Sequence, residues 1–104
     1  MDDLRDEVLK FTQDRDWDQF HSPENLAKSI SIEAGELLEC FQWGSTYNQE
    51  EVEMELADVV NYCIQLADKI DVRLEDIVRK KLKISEQKYP IDKSKGNSKK
   101  YTEI

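Results

Sequence analysis

Apolar residues return at every third or fourth position through most of this chain, and little interrupts them: its 104 residues include only 3 Gly and 2 Pro. That spacing lines one side of a helix, whose period is 3.6 residues. No alternating pattern of the kind a half-buried strand needs persists anywhere. The chain therefore reads as all-α, an antiparallel four-helix bundle with short connections. The first helix runs from about Asp2 to Arg15, with Leu4, Val8 and Phe11 on one side. Residues 15–21 lose the period and read as a loop. Ser22 suits an N-cap, Pro23 the first helical position and Glu24 the first turn of a second helix. That helix should reach about Trp43, with Gly44 at its end. The third spans about Gln49 to Ile70 on a stripe of Val52, Leu56, Val59, Cys63, Leu66 and Ile70. Asp71-Val72 is a short break. The fourth spans about Leu74 to Lys88, with Leu74, Ile77, Val78, Leu82 and Ile84 apolar, and Tyr89-Pro90 stops it. The division is a helical domain over residues 1–90 and a Lys-rich polar tail over 91–104.

Two carboxylate pairs stand out against this framework, Glu33 with Glu36 and Glu55 with Asp58. Residues three apart on a helix share nearly one side. Two such helices packed face to face would converge four oxygen ligands, which repel one another unless a cation lies among them. Hard divalent cations such as Mg²⁺ take that ligation and commonly serve phosphate chemistry. Acid-rich helices also produce such pairs by chance, and Glu36–Glu39, Glu50–Glu53 and Asp3–Asp6 share the spacing. Position relative to the apolar stripe separates them. On the second helix the stripe is Leu26, Ile30, Leu37 and Phe41; Glu33 falls inside it and Glu36 at its edge. An isolated carboxylate there is costly to desolvate. Glu55 flanks the third stripe, with Asp58 and Tyr62 on the same flank. Glu39, Glu50 and Glu53 point elsewhere and read as solvated. A solvated acidic surface remains the alternative to a metal cluster.

Other chemistries find less support. His21 is the single histidine, and no Glu-x-x-His pair of a di-iron bundle exists. Cys40 and Cys63 have no Cys-x-x-Cys spacing and read as buried thiols. There is no Gly-x-x-x-x-Gly-Lys phosphate loop. Residues 1–78 carry 6 basic and 20 acidic side chains, whereas 79–104 carry 9 basic and 3 acidic. An acidic body argues against a nucleic-acid polymer as partner. No stretch approaches the roughly 20 apolar residues that span a bilayer, and the acidic N-terminus lacks a signal-peptide core. The expectation is a cytoplasmic protein with no membrane partner. Trp17 and Trp43 sit at helix borders among polar residues, where a base can stack on an indole or where an ordinary rim tryptophan can lie.

Taken together, Glu33-x-x-Glu36 followed after an 18-residue gap by Glu55-x-x-Asp58 resembles the MazG-like all-α nucleoside triphosphate pyrophosphohydrolases, and among them the dCTP pyrophosphatase branch. Arg15-Asp16-Trp17-Asp18-Gln19-Phe20-His21 is similar to a segment of those enzymes. So are the run from Glu33 to Trp43 and the tail Lys99-Lys100-Tyr101-Thr102-Glu103-Ile104. The resemblance implies that Glu33, Glu36, Glu55 and Asp58 coordinate Mg²⁺ and that Trp17 and Trp43 enclose the base. It implies that Tyr62 shapes the nucleotide site and that Lys81 reaches phosphate. It also implies a homo-oligomer, a tetramer of paired dimers whose sites draw on more than one subunit. Two positions depart: Val8 stands where the eukaryotic dCTP enzymes have a histidine, and Ser85 where many relatives have an asparagine.

The resulting expectation is a Mg²⁺-dependent enzyme that cleans the nucleotide pool by converting dCTP, or a modified dCTP, to the monophosphate and pyrophosphate. Water would attack the α-phosphorus, with one of the four carboxylates as candidate base. The same chemistry on dUTP or another non-standard nucleotide is the nearest alternative. A non-catalytic helical dimerisation module is the alternative from another class.

Overall fold

The architecture is all-α. The computed structural model describes residues 2–96, the side chain of Ser94 excepted. It contains α1 (Asp2–Asp14), a 3₁₀ turn (Asp18–Phe20), α2 (Pro23–Glu39), α3 (Gln49–Lys69), α4 (Leu74–Lys88) and the short α5 (Ile91–Ser94). The tail motif at 99–104 lies outside the described residues. The chain divides into two compact units between Arg73 and Leu74.

In the first unit α2 packs along α3, and α1 lies on α3 as well. The helices start where their caps dictate. The Ser22 hydroxyl accepts from the Asn25 N–H at 3.2 Å, and the Asn48 side chain accepts from the Glu51 N–H at 3.0 Å. Each satisfies one of the donors that a helix start leaves unpaired. The ends of α1 and α3 share one device. Trp17 N–H reaches back to Thr12 O at 3.0 Å and Val72 N–H to Ala67 O at 2.9 Å. The residues between, Asp16 and Asp71, take left-handed backbones with φ of 58° and 59°. This closure usually employs glycine; aspartate tolerates it at some steric cost.

Leu26, fully buried, lies at the centre of the unit with Ile64 and Ala67. This core is offset from the stripe expected on α3, because Leu56 and Ile70 are about half exposed while Ile64, Gln65 and Ala67 are buried. α2 also ends earlier than its apolar pattern suggests. From Cys40 the N–H groups bond three residues back, to Leu37, Leu38 and Glu39, so the helix tightens into turns before Gly44 at φ 128°. Both cysteines are half-buried rather than buried, and both are free thiols.

Long-range polar links fix α1 and the following turn. Arg5 Nη2 donates to Asp68 Oδ1 at 2.6 Å, and Arg73 pairs with Asp2. Lys69 Nζ holds the 3₁₀ turn through Asp18 Oδ1 at 2.9 Å. Asn25 Nδ2 donates to Phe20 O at 3.1 Å.

In the second unit α4 starts with Glu75 and Asp76 and ends with Lys88, an order that complements the helix dipole. Its apolar residues Val78 and Leu82 remain exposed. Pro90 ends α4 as expected, but then caps α5, a turn of helix that the polar composition of this stretch conceals. Among the described residues no helix is long and apolar enough to cross a membrane.

Candidate metal centre

α2 and α3 run antiparallel in a definite register. Glu33 borders one cavity with Asp58, while Glu36 and Cys40 border a second cavity with Glu55 and Glu51. As one helix ascends, its opposite residues descend. The spacing of three that places two acids on one side of each helix therefore brings both pairs to one level. Carboxylate oxygens of Glu33, Glu55 and Asp58 all lie within 4.8 Å of one another. Glu36 stands beside both Glu33 and Glu55.

The charge of this cluster is unrelieved. Oε2 of Glu33 and Oε2 of Glu55 are buried and hydrogen-bond to nothing among the described residues. The Glu33 carboxyl is raised to about 7 by its hydrogen bond with Glu36, then by burial, then by the negative charges of Glu36, Asp58 and Glu55. The Glu55 carboxyl is raised by burial first and by Glu36 next. An unpaired buried acid either keeps its proton or takes a cation. Oxygen-only ligands clustered at this distance suit a hard divalent ion, so these acids could coordinate a metal.

Two cavities border the cluster from opposite ends. The first, about 350 Å³, is aromatic and amide-lined: Phe11, Trp17, Tyr62, His21, Asn61 and Gln65 face it beside Glu33 and Asp58. The second, about 490 Å³, is an acidic cleft that adds Glu39, Glu51 and Gln42 to Glu36 and Glu55. Glu39 is exposed, as its helical position suggested, and from the cleft wall it contributes negative charge at Glu55. Glu55 and Glu51 also push the half-buried Cys40 thiol upward, after the effect of burial itself.

Glu33, Glu36, Glu55, Asp58, Trp17 and Tyr62 thus come together in space. Trp43 does not join them within this chain: it follows the end of α2, is 92% exposed and lines neither cavity. Lys81 is an exposed residue of α4.

Several lining residues escaped sequence reasoning. His21, read as part of a polar loop, packs its ring edgewise 6.5 Å from Tyr62 and buries an Nδ1 without a partner among the described residues. Phe11, assigned to the α1 stripe, meets Trp17 edge-on at 5.8 Å. Arg15 lies over the Phe11 ring at 3.7 Å and fixes that pair from outside. Asn61 and Gln65 fall on the same side of α3 as Asp58 by helical spacing, the one signal that was available.

The model of the MazG-like family matches residues 28–104. dCTP pyrophosphatase 1 of Mus musculus is 35% identical over 114 residues, an alignment that spans 100% of this chain and 67% of the mouse protein. The Homo sapiens protein of the same name gives 35% over 114 residues with the same coverage, 100% and 67%. The crystal structure of a pyrophosphatase from Archaeoglobus fulgidus superposes with a TM-score of 0.78 at 40% identity, covering 86% of this chain and 92% of that one. With the antiparallel acid pairs in place and relatives matched along its whole length, the chain belongs to the MazG-like family.

Proposed function

We propose that this protein is a Mg²⁺-dependent nucleoside triphosphate pyrophosphohydrolase acting on dCTP or a 5-substituted dCTP. Family membership and the acidic cluster support nucleotide pyrophosphohydrolase chemistry in general. The observation that carries the finer reading is the junction of Glu33, Glu55 and Asp58, within 4.8 Å of one another, with an aromatic cavity on one side. Glu33, Glu36, Glu55 and Asp58 would hold Mg²⁺, whose fit rests on the all-oxygen donor set and the two orphaned buried oxygens. When bound, the ion supplies charge neutralisation for the triphosphate and orientation for attack at the α-phosphorus.

The chain's own groups divide the remaining work. Trp17, backed by Phe11 and Arg15, offers a ring face for a base. Tyr62 and His21 narrow the cavity and exclude water. One of the four carboxylates of the cluster takes the proton of the attacking water. Among the described residues that line the acidic cleft none is basic, so a bare triphosphate is repelled there and enters only with cations.

We also propose a homo-oligomer, with a tetramer favoured. Leu26, Ile64 and Ala67 are the buried apolar residues among those described, while Ile32, Leu38, Leu56 and Leu82 stay exposed. So thin a core gains from association. In that assembly Trp43 serves the site of a neighbouring copy. The complementation test is to mix inactive Glu55→Gln with Trp43→Ala protein. Recovery of dCTP turnover above the Trp43→Ala level supports sharing, and no recovery argues against it.

The function is tested by pyrophosphate release from a panel of nucleoside triphosphates with Mg²⁺ or EDTA. The expected result is metal-dependent release with dCTP or 5-methyl-dCTP preferred, and ¹⁸O from water recovered in the monophosphate. Preference for dUTP moves the assignment to the alternative substrate. No release from any triphosphate supports the non-catalytic helical module.

A further inference from the structure

Among the described residues of the first unit, Thr12 and Gln65 are buried polar side chains, and only one of them is satisfied. Thr12 donates its hydroxyl to Leu9 O at 2.9 Å. Gln65, 6% exposed, donates Nε2 to Asn61 Oδ1 at 2.7 Å, but its Oε1 is buried without a partner among the described residues. An orphaned amide oxygen at such depth is costly, and a folded protein keeps one where water or a ligand supplies the missing donor. Gln65 lines the aromatic cavity, and so does His21, whose buried Nδ1 is likewise unsatisfied. Two residues that each bury an unsatisfied polar atom thus line one space bounded by rings.

The position along α3 gives this space a direction. Asp58, Asn61, Tyr62 and Gln65 follow one side of the helix at steps of three and four. Gln65 lies two turns from Asp58, about 10 Å along the axis. A nucleotide with its phosphates at the acids and its base in the cavity extends its base edge toward Gln65. The hydrogen bond to Asn61 decides which atom that edge meets. With Nε2 engaged, the Gln65 amide presents an acceptor, which demands a donor.

We propose that Gln65, clamped by Asn61, is a specificity residue that accepts a hydrogen bond from an exocyclic amino group of the base, so that the site selects an aminopyrimidine over its keto counterpart. This rests on the reading of the cavity as a nucleotide site. A keto oxygen at the same place would oppose Oε1 and leave both acceptors unpaired, the situation in which a buried polar site discriminates most strongly.

The test is kcat/KM for dCTP and dUTP in wild type, Gln65→Leu and Asn61→Ala. Wild type should favour dCTP at least tenfold. In Gln65→Leu the dCTP/dUTP ratio should fall about 10- to 100-fold, through KM more than kcat. Asn61→Ala, which frees the amide to turn over, should lower the ratio while both substrates are still hydrolysed. A wild-type preference for dUTP, or a ratio unmoved in Gln65→Leu, overturns the proposal. Equal losses for both substrates mean a structural role only and also overturn it. Calorimetric titration with dCMP and dUMP separates this inference from the reading it rests on. If wild type hydrolyses nothing yet binds dCMP more tightly, and Gln65→Leu binds both alike, the specificity role stands and the enzyme assignment falls. If wild type binds neither monophosphate, the specificity role falls too.

Discussion

Neutralising Glu33 should stabilise the metal-free protein, with a dependence on pH that follows from the cluster. In an unfolded chain this carboxyl titrates near 4.5, whereas in the folded protein its proton is held up to about 7. Between those values the folded state binds more protons than the unfolded one, so stability falls as pH rises through this window. Below about pH 4.5 both states hold the proton and the penalty vanishes; above about pH 7 it is complete. At about 1.4 kcal/mol per pH unit the displacement sets a ceiling of about 3.5 kcal/mol. Partial contact with water and screening by salt reduce this to about 1–2 kcal/mol. The amide of a Glu33→Gln variant would mimic the protonated acid at every pH. At about 4–8 °C per kcal/mol, Glu33→Gln in EDTA should melt about 5–10 °C above wild type at about pH 8 and within about 2 °C of it at about pH 4.5. Saturating Mg²⁺ at the higher pH should narrow or reverse the gap, because wild type gains ligand stabilisation that the variant lacks. The assay is thermal unfolding by circular dichroism at one fixed protomer concentration. A variant that melts below wild type at the higher pH in EDTA, or that differs by the same margin at both pH values, would show that Glu33 is not held against like charge and would refute the reasoning.

The other expectations concern the site and the frame around it. Glu36→Gln, Glu55→Gln and Asp58→Asn should each reduce metal-dependent pyrophosphate release at least about 100-fold, by loss of electrostatic stabilisation; Glu50→Gln and Glu53→Gln, both exposed and outside the two cavities, should retain it. Trp17→Ala should raise KM for the preferred nucleotide about 5- to 150-fold, the worth of one stacked base, with metal affinity unchanged by calorimetry. Asp71→Gly should raise stability by about 0.5–1 kcal/mol in urea unfolding, since glycine takes the left-handed backbone at φ 59° without the Cβ penalty.

Much of this architecture was legible along the chain because its causes are local. A helix start depends on one oxygen and an N–H three residues on, so Ser22-Pro23-Glu24 announces α2 without reference to anything distant. The break at Asp71 is equally local. The pairing of acids three apart is helix geometry, and the place of Glu33 among Leu26, Ile30 and Leu37 marks it as costly to bury alone. The resemblance of these motifs to MazG-like enzymes needed only residue identities and a gap length.

What lay beyond the sequence depends on how one helix meets another. Spacing orders residues around a helix axis but does not specify which direction faces the neighbour; packing against α1 and α2 placed the deepest part of α3 at Ile64 and Ala67 instead of Leu56 and Ile70. The antiparallel register that brings Glu33 beside Asp58 is likewise a property of two helices and their connection. The path of the loop before α2 is set by Lys69, 51 residues away, which holds Asp18 and so turns Trp17 and His21 into the cavity. Trp43 has the same composition cues as Trp17 but no such tether among the described residues, and it stands in solvent. Gln65 looks like an ordinary polar residue in a helical pattern; only the three-dimensional structure reveals that it is buried with an oxygen unsatisfied, because burial sums contributions from segments far apart in the chain.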